Sequence, residues 1–77
     1  MRCYLRLDSD TIDEARSYAS LRAACEAFYE VAIASRALWP KEAHGAIHYA
    51  NSREEIAEYP DYVLELGPRG GLQIKRA

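Results

Sequence analysis

One segment of the chain, residues 20–39, constrains the fold more than any other. Its apolar and small residues recur every three or four positions, which is the spacing of one face of an α-helix. These residues are Leu21, Ala24, Cys25, Phe28, Val31, Ala32, Ser35, Leu38 and Trp39. Ser20 suits the N-cap position, and Pro40 disfavours a helical conformation in the residue before it. The pattern predicts one amphipathic helix that organises the rest of the fold.

Four other segments show the alternation of apolar and polar residues that is typical of half-buried strands. They are residues 2–7, 46–50, 62–66 and 72–75. The glycine-rich residues 67–71 predict a hairpin turn between the last two strands. Residues 41–45 are then expected to be a connector between the helix and the second strand.

Two further segments have the spacing of a capping box, in which Ser or Thr is followed three positions later by Glu. The pairs are Thr11 with Glu14 and Ser52 with Glu55. The first pair predicts a loop or a short turn of helix within residues 8–19, because Ser17 interrupts any longer apolar pattern. The second pair predicts a short helix over residues 53–58, which Pro60 ends.

These elements predict an α+β fold in the order β-α-β-α-β-β, as a single compact domain over residues 1–77. The apolar sides of four strands and one long helix must cover each other, which favours a mainly antiparallel four-stranded sheet packed on the helix. A domain of 77 residues buries only a little over half of its unfolded surface, so we expect modest stability.

The two faces of the predicted sheet differ in chemistry. The side expected under the helix carries Cys3, Leu5, Leu7, Ile47, Tyr49, Tyr62, Leu64, Leu66, Leu72 and Ile74. The opposite side carries Arg2, Tyr4, Arg6, His48, Val63, Glu65, Gln73 and Lys75. Single-stranded nucleic acid binds open sheets whose aromatic rings stack on bases and whose cations lie near phosphates. The residues of this alternative nucleic-acid face are Arg2, Tyr4, Arg6, His48 and Lys75. An ordinary solvated sheet face explains the same residues.

Composition and charge narrow the class of protein. A chain with 49% hydrophobic and 29% charged residues is too apolar for intrinsic disorder. Its net charge of −2 does not support non-specific binding to nucleic acid, so direct nucleic-acid binding is the less favoured function. No basic-then-apolar leader follows Met1, and no apolar run approaches the ~18 residues of a membrane span. We therefore expect a cytoplasmic protein.

The sequence carries no complete catalytic or metal-binding set. His44 and His48 are four positions apart, but an extended strand separates such residues by about 13 Å, which is too far for one metal ion. Cys3 and Cys25 fall on apolar positions, where a buried thiol stays protonated and unreactive. We therefore expect no enzymatic activity, no metal and no cofactor.

Two groups of residues are candidates for binding a partner. The first lies on the flank of the predicted helix away from its apolar stripe and consists of Arg22, Tyr29, Ile33 and Arg36. Tyr and Arg beside an exposed apolar side chain are typical of interaction hot spots. The second is acidic and surrounds the predicted second helix, with Glu54, Glu55, Glu58 and Asp61. Packing at the helix border and interaction with the helix dipole are the structural alternatives, and both stay open.

The chain also resembles the small accessory proteins encoded by phages and prophages, particularly those of the anti-CRISPR type. The resemblance is carried by the small single domain, the tyrosine-rich strands, the missing catalytic set, two separate charged surfaces, and the segments Asp10 to Tyr18 and Leu66 to Gly71. It implies a stoichiometric inhibitor that blocks a host defence complex such as a CRISPR–Cas effector. Proteins of this class share no common site, so the resemblance assigns no role to any residue.

Three functions therefore stand as hypotheses. The preferred one is a non-enzymatic protein-binding module, a phage-type inhibitor whose partner is a host protein or ribonucleoprotein complex in the host cytoplasm. The second is a small single-stranded nucleic-acid-binding protein that uses the open sheet face. The third is a small structural or regulatory homodimer.

Overall fold

The computed structural model describes residues 1–7, 10–36, 43–67 and 69–77, with the side chains of residues 35 and 36 outside the description. Its helix α1 spans Leu21–Arg36, and the predicted end of the helix near Trp39 lies outside the described residues. The strands are β1 Arg2–Leu7, β2 Arg16–Tyr18, β3 Ala43–Ala50, β4 Tyr62–Leu66 and β5 Leu72–Arg76. Two short 3-10 helices span Ile12–Glu14 and Arg53–Glu55.

All five strands form one antiparallel sheet in the order β2-β1-β3-β4-β5, and α1 packs on one face of it against β1 to β4. β1 and β3 pair so that Leu5 lies opposite Ile47. β4 and β5 pair so that Leu64 lies opposite Ile74. The alternating apolar residues of neighbouring strands therefore share the side that was predicted to lie under the helix, where they form the main core with Phe28.

The helix α1 begins directly after Ser20, the residue predicted to be its N-cap. The Ser20 Oγ accepts a hydrogen bond from the backbone N–H of Ala23 at 3.1 Å, and the Ser20 carbonyl accepts one from the N–H of Ala24 at 3.1 Å. The hydroxyl thus satisfies one of the otherwise unpaired donors of the first helical turn. Phe28, only 1% exposed, lies on the stripe that α1 turns toward the sheet.

The sheet has five strands where four were predicted, because β2 was missed. β2 has only three residues, and its register places Tyr18 opposite Cys3 and Arg16 opposite Leu5. Three residues are too few to show a period, and it is pairing with the edge of β1 that makes them a strand. The side chain of Arg2 also donates a hydrogen bond to the hydroxyl of Ser17 across this pair.

The residues before β2 form the short turn of helix that the capping-box spacing predicted. The Glu14 carboxylate accepts hydrogen bonds from the backbone N–H and the hydroxyl of Thr11, both at 3.0 Å. These bonds favour the ionised carboxylate and lower the pKa of Glu14. The resulting 3-10 helix is only three residues long and leads directly to β2.

β3 begins earlier than predicted and contains Gly45, which the sequence placed in a connector. Gly45 lies opposite Leu64 in β4, and a Cβ atom built on it would lie 2.9 Å from two ring carbons of Phe28. That distance is shorter than a normal carbon–carbon contact, so the missing side chain makes room for the aromatic ring. The glycine therefore belongs to the strand because it packs beneath α1, a contact that local sequence does not reveal.

The second half of the chain departs from prediction once more. The short helix predicted over residues 53–58 is a 3-10 helix of three residues, Arg53–Glu55. The hairpin between β4 and β5 is confirmed, since the Gly67 N–H donates to the Gly71 carbonyl at 3.0 Å and Gly70 has a φ of 87°. Only glycine adopts that φ without strain.

Within the described ranges, no helix has the length and apolarity to cross a membrane.

Candidate interaction surfaces

The sheet face opposite α1 is covered by residues 51–60, which we name the cover segment. Its Ile56 packs against Tyr4, Ala15 and Ala50 in a second, smaller hydrophobic cluster. The guanidinium of Arg53 donates a hydrogen bond to the Ala15 carbonyl at 2.8 Å, which ties the cover segment to the chain just before β2.

The sheet face predicted to be open to nucleic acid is therefore not open, because the cover segment lies on it. Tyr4 and His48 are only 6% and 1% exposed, so no base can stack on either ring while the cover segment is in place. The cations of the same face have protein partners as well. Arg2 bonds Ser17, Arg6 donates to the carbonyl of Asp10 at 3.3 Å, and Lys75 forms an ion pair with Glu65 at 3.1 Å. Alternation along β1 and β3 correctly placed Tyr4 and His48 on one face, but it carried no information about what packs on that face.

His48 is a buried polar residue of the described core. Its Nε2 accepts a long hydrogen bond from the Arg6 Nε–H at 3.4 Å, which leaves the ring proton on Nδ1. That Nδ1 has no hydrogen-bond partner among the described residues, although backbone groups of Ala57 and Tyr59 lie near the ring. Burial, followed by the charge of Arg6, lowers the pKa of His48, so the ring is neutral at pH 7.

The acidic candidates lie on the outer side of the cover segment. Glu54, Glu55 and Glu58 are exposed there. Asp61, which follows the segment, is exposed too, but its carboxylate accepts a hydrogen bond from the Tyr49 N–H at 2.8 Å. Asp61 therefore has a structural role at the end of β3, while the three glutamates are available to a partner.

The other candidate group lies on α1. Tyr29 and Ile33 are 41% and 40% exposed, and Arg22 forms an exposed ion pair with Glu26 at 3.3 Å. Arg36 is the last residue of α1, and its side chain lies outside the described part of the structure. Residues on α1 advance by about 100° each, so Tyr29 and Ile33 share one flank of the helix, on the opposite side of the apolar stripe from Val31.

The position of Val31 shows where the Tyr29 flank points. Val31 lines a cleft of about 480 Å³ together with residues of β1 and β2, so its flank faces β2. Tyr29 and Ile33 consequently lie on the flank of α1 that faces away from β2. We name this surface, with its exposed Tyr29 and Ile33, the α1 flank.

The structure does not combine the two predicted groups into one surface. The α1 flank lies on the helix side of the sheet, whereas Glu54, Glu55 and Glu58 lie on the cover segment on the other side. A partner small enough to contact one face would not contact the other, so the two groups represent two separate candidate surfaces.

The cleft beside Val31 was not predicted. Its walls are apolar at Leu5, Leu7 and Tyr18, and the charged residues Asp10, Glu14 and Arg16 also line it. The Asp10 and Glu14 carboxylates accept hydrogen bonds from the backbone N–H groups of Leu7 and Thr11. Both carboxylates are thus occupied in holding the local chain, and the cleft is a gap at the edge of the core without a converging set of free polar groups.

The candidate metal and thiol residues are separated or buried. His44 and His48 both lie in the extended β3, as the alternation of Ile47 and Tyr49 predicted. No group of three or more His, Cys, Asp or Glu side chains that could hold a metal occurs within the described ranges. Cys3 and Cys25 are free and buried, as predicted. Burial, with a smaller effect of the nearby Cys3, raises the pKa of the Cys25 thiol.

Sequence reasoning also missed the character of β5. It assigned Ile74 to the core, but Ile74 is 47% exposed because α1 packs over β1 to β4. All residues of β5 after Leu72 are exposed. The available signal was the pair of charged residues Lys75 and Arg76, because charged side chains are typical of strands at a sheet edge.

Comparison with known proteins does not add to these observations. No protein-family model matches the chain, and no curated protein or solved structure shows detectable similarity to it.

Proposed function

We propose that this chain is a protein-binding module that acts by stoichiometric binding and not by catalysis. The observation that supports this function best is the α1 flank, where Tyr29 and Ile33 present large apolar surface to solvent beside the Arg22–Glu26 ion pair. Aromatic and aliphatic side chains of this kind dominate binding energy when a partner removes them from water. Their exposure costs a small domain apolar area that it could otherwise bury.

The same observations weigh against the alternative of single-stranded nucleic-acid binding. The stacking residue that this function would need most, Tyr4, is covered, and the cations near it bond protein groups. The acidic surface of Glu54, Glu55 and Glu58 would in addition repel phosphate. Those glutamates favour a second candidate function, the binding of a basic protein surface through the cover segment.

The resemblance to phage-encoded inhibitors indicates the partner to test first, a CRISPR–Cas effector complex in the host cytoplasm. In this form of the proposal, the chain occupies a subunit interface of the complex through the α1 flank. Binding of one inhibitor per effector would then suppress target cleavage without any covalent change in either molecule. A small regulatory homodimer that uses the same flank is the remaining alternative.

An affinity capture with three baits tests the proposal. The baits are the unaltered chain, the double variant Tyr29→Ala with Ile33→Asp, and a control with Glu54→Gln and Glu58→Gln on the opposite side. We expect purified effector complexes, or a partner from a nuclease-treated lysate, to bind the first and third baits and not the second. Loss of binding with the control alone would favour the acidic cover segment, and capture that nuclease abolishes would favour nucleic acid.

A further inference from the structure

We propose that the free edge of β5 binds an extended segment of a partner protein whose residues alternate between apolar and acidic, so that the segment becomes a sixth strand of the sheet. The proposal concerns a surface separate from Tyr29 and Ile33 and does not depend on the α1 flank. Three independent properties of β5 support it: its backbone groups, its side chains and its charge.

The backbone of β5 offers hydrogen-bonding groups at the edge that have no partner among the residues that the structure describes. Two observed bonds set the pattern of the β4–β5 ladder: the Gly67 N–H donates to the Gly71 carbonyl at 3.0 Å, and the Ala77 N–H donates to the Asp61 carbonyl at 3.3 Å. Hydrogen-bonded pairs alternate along an antiparallel ladder. The bonded residues of β5 are therefore Gln73 and Lys75, and the N–H and C=O groups of Leu72, Ile74 and Arg76 point away from β4.

The side chains of β5 define what an added strand would meet. On the helix side, Leu72 is half-buried against the core and Ile74 is 47% exposed. An apolar residue next to Ile74 would bury both side chains, as cross-strand pairs do within a sheet. On the other side are the exposed Gln73 and Lys75. The Lys75 ammonium pairs with Glu65 at 3.1 Å but remains exposed and has further donors for an acidic neighbour. Alternation along an added strand would match this division.

Charge selects the partner. Residues 67–77 contain Arg69, Lys75 and Arg76 and no Asp or Glu, a side-chain formal charge of +3, so the remaining side chains of this chain of net charge −2 carry −5. Arg69 and Arg76 are exposed and have no ion-pair partner in the described part of the chain. A second copy would place one +3 edge against another, and edge lysines are a common way to prevent such self-pairing. An acidic segment is attracted instead.

Peptide binding to the intact chain tests the proposal. The probe is a fluorescein-labelled octapeptide of alternating Glu and Val, with a Lys–Val peptide of the same length as control. We expect a saturable rise in anisotropy with the acidic peptide only, and weakening as salt is added. Arg76→Glu should reduce affinity at least about tenfold, the effect of ~1.4 kcal/mol. The matched control Arg16→Glu, the same charge change on β2 at the opposite edge of the sheet, should leave binding unchanged.

Two further measurements examine the backbone pairing itself. Ile74→Pro removes an N–H that points away from β4, so it should abolish peptide binding while the β4–β5 ladder persists. In the unaltered chain, the amides of Leu72, Ile74 and Arg76 should become protected from hydrogen exchange when the peptide binds, whereas those of Gln73 and Lys75 are protected already. The second measurement remains informative if the proline variant does not fold.

Three results would overturn the proposal. They are equal loss of affinity in Arg16→Glu and Arg76→Glu, unchanged exchange at Leu72, Ile74 and Arg76 under saturating peptide, and a concentration-dependent dimer in sedimentation that Ile74→Pro dissociates. The last would assign the edge to a second copy. None of them bears on capture through Tyr29 and Ile33, so failure here is distinguishable from failure of the proposed function.

Discussion

The two sides of the sheet differ in how much apolar surface they bury and in whether they enclose a polar group. On the helix side, α1 buries Phe28 against the fully enclosed Ile47, Leu64 and Leu66. On the other side, the cover segment contributes one partly buried Ile56 to a small cluster and encloses His48. Burial of apolar surface gives most of a domain's stability, whereas an enclosed polar group with an unpaired nitrogen opposes it. The helix side should therefore unfold only globally, and the cover segment should open more readily.

The largest loss of stability is expected on the helix side, from Phe28→Ala. Removing the ring leaves a cavity between α1 and the sheet, and we expect the free energy of unfolding to fall by about 3–5 kcal/mol. That loss is comparable to the whole stability of many small domains. Urea denaturation followed by circular dichroism measures it, with the neighbouring exposed Tyr29→Ala as control. A loss below about 1 kcal/mol would contradict the placement of Phe28 in the core.

A smaller loss is expected for Gly45→Ala. The new methyl group would lie 2.9 Å from the Phe28 ring carbons, so either the ring or the strand must shift. Overpacking of this kind typically costs about 1–3 kcal/mol. A double-mutant cycle with Phe28→Leu provides the control, because the alanine should cost less where the ring is absent. Equal costs in both backgrounds would show that strand geometry, and not the ring, requires the glycine.

The cover side should respond to acid in a way that the helix side does not. Burial and the charge of Arg6 lower the pKa of His48 below its usual 6.5, so the unfolded chain binds a proton at a higher pH than the folded one. The stability that neutral His48 contributes is complete above the pKa of the unfolded state, about 6.5. It is lost as the pH falls from there toward the lower pKa of the folded state.

Urea unfolding measured between about pH 8 and about pH 5 tests this expectation. His48→Phe should flatten the dependence of stability on pH, whereas the control Tyr29→Ala, which removes an exposed side chain that carries no charge in this pH range, should retain it. The comparison rests on the slope against pH, so a change in absolute stability of either variant does not affect it. An unchanged slope in His48→Phe would show that another group causes the acid sensitivity.

The smallest effect on stability is expected on the α1 flank. Tyr29→Ala combined with Ile33→Asp removes exposed side chains from an outward position, and we expect each change to alter the free energy of unfolding by no more than about 0.5 kcal/mol. The same double variant should lose partner capture. A large loss of stability would mean that the flank packs against the protein itself, as the structural alternative for these residues holds.

Residues in regular elements were predicted best. Every apolar residue assigned to the helix side of the sheet lies on that side, because alternation of period two depends only on the strand's own backbone. The Ser20 cap, the Thr11–Glu14 bonds and the glycine hairpin were predictable for the same reason, since each involves residues within a few positions. The missed β2 and the misplaced Gly45 depend instead on partners distant in sequence.

For the candidate surfaces too, features set by local spacing were predictable and features set by distant contacts were not. Helical spacing alone placed Tyr29 and Ile33 away from the Phe28 stripe, but it left open whether they pack at the helix border, and the structure shows both exposed. The burial of Tyr4 and His48 was not predictable, because it arises when residues 51–60 cross the sheet. The exposure of Ile74 likewise depends on how far α1 reaches across the strands.

Local pattern thus determined where the helix of this protein begins, which face of each predicted strand is apolar and where the hairpin turns. Those features follow from backbone geometry and from hydrogen bonds between near neighbours in the chain. Only the tertiary structure decided the fifth strand, the covered face around His48 and the free edge at β5. Each of these depends on which distant segment removes a surface from water, and the position of that segment is set by the packing of the whole chain.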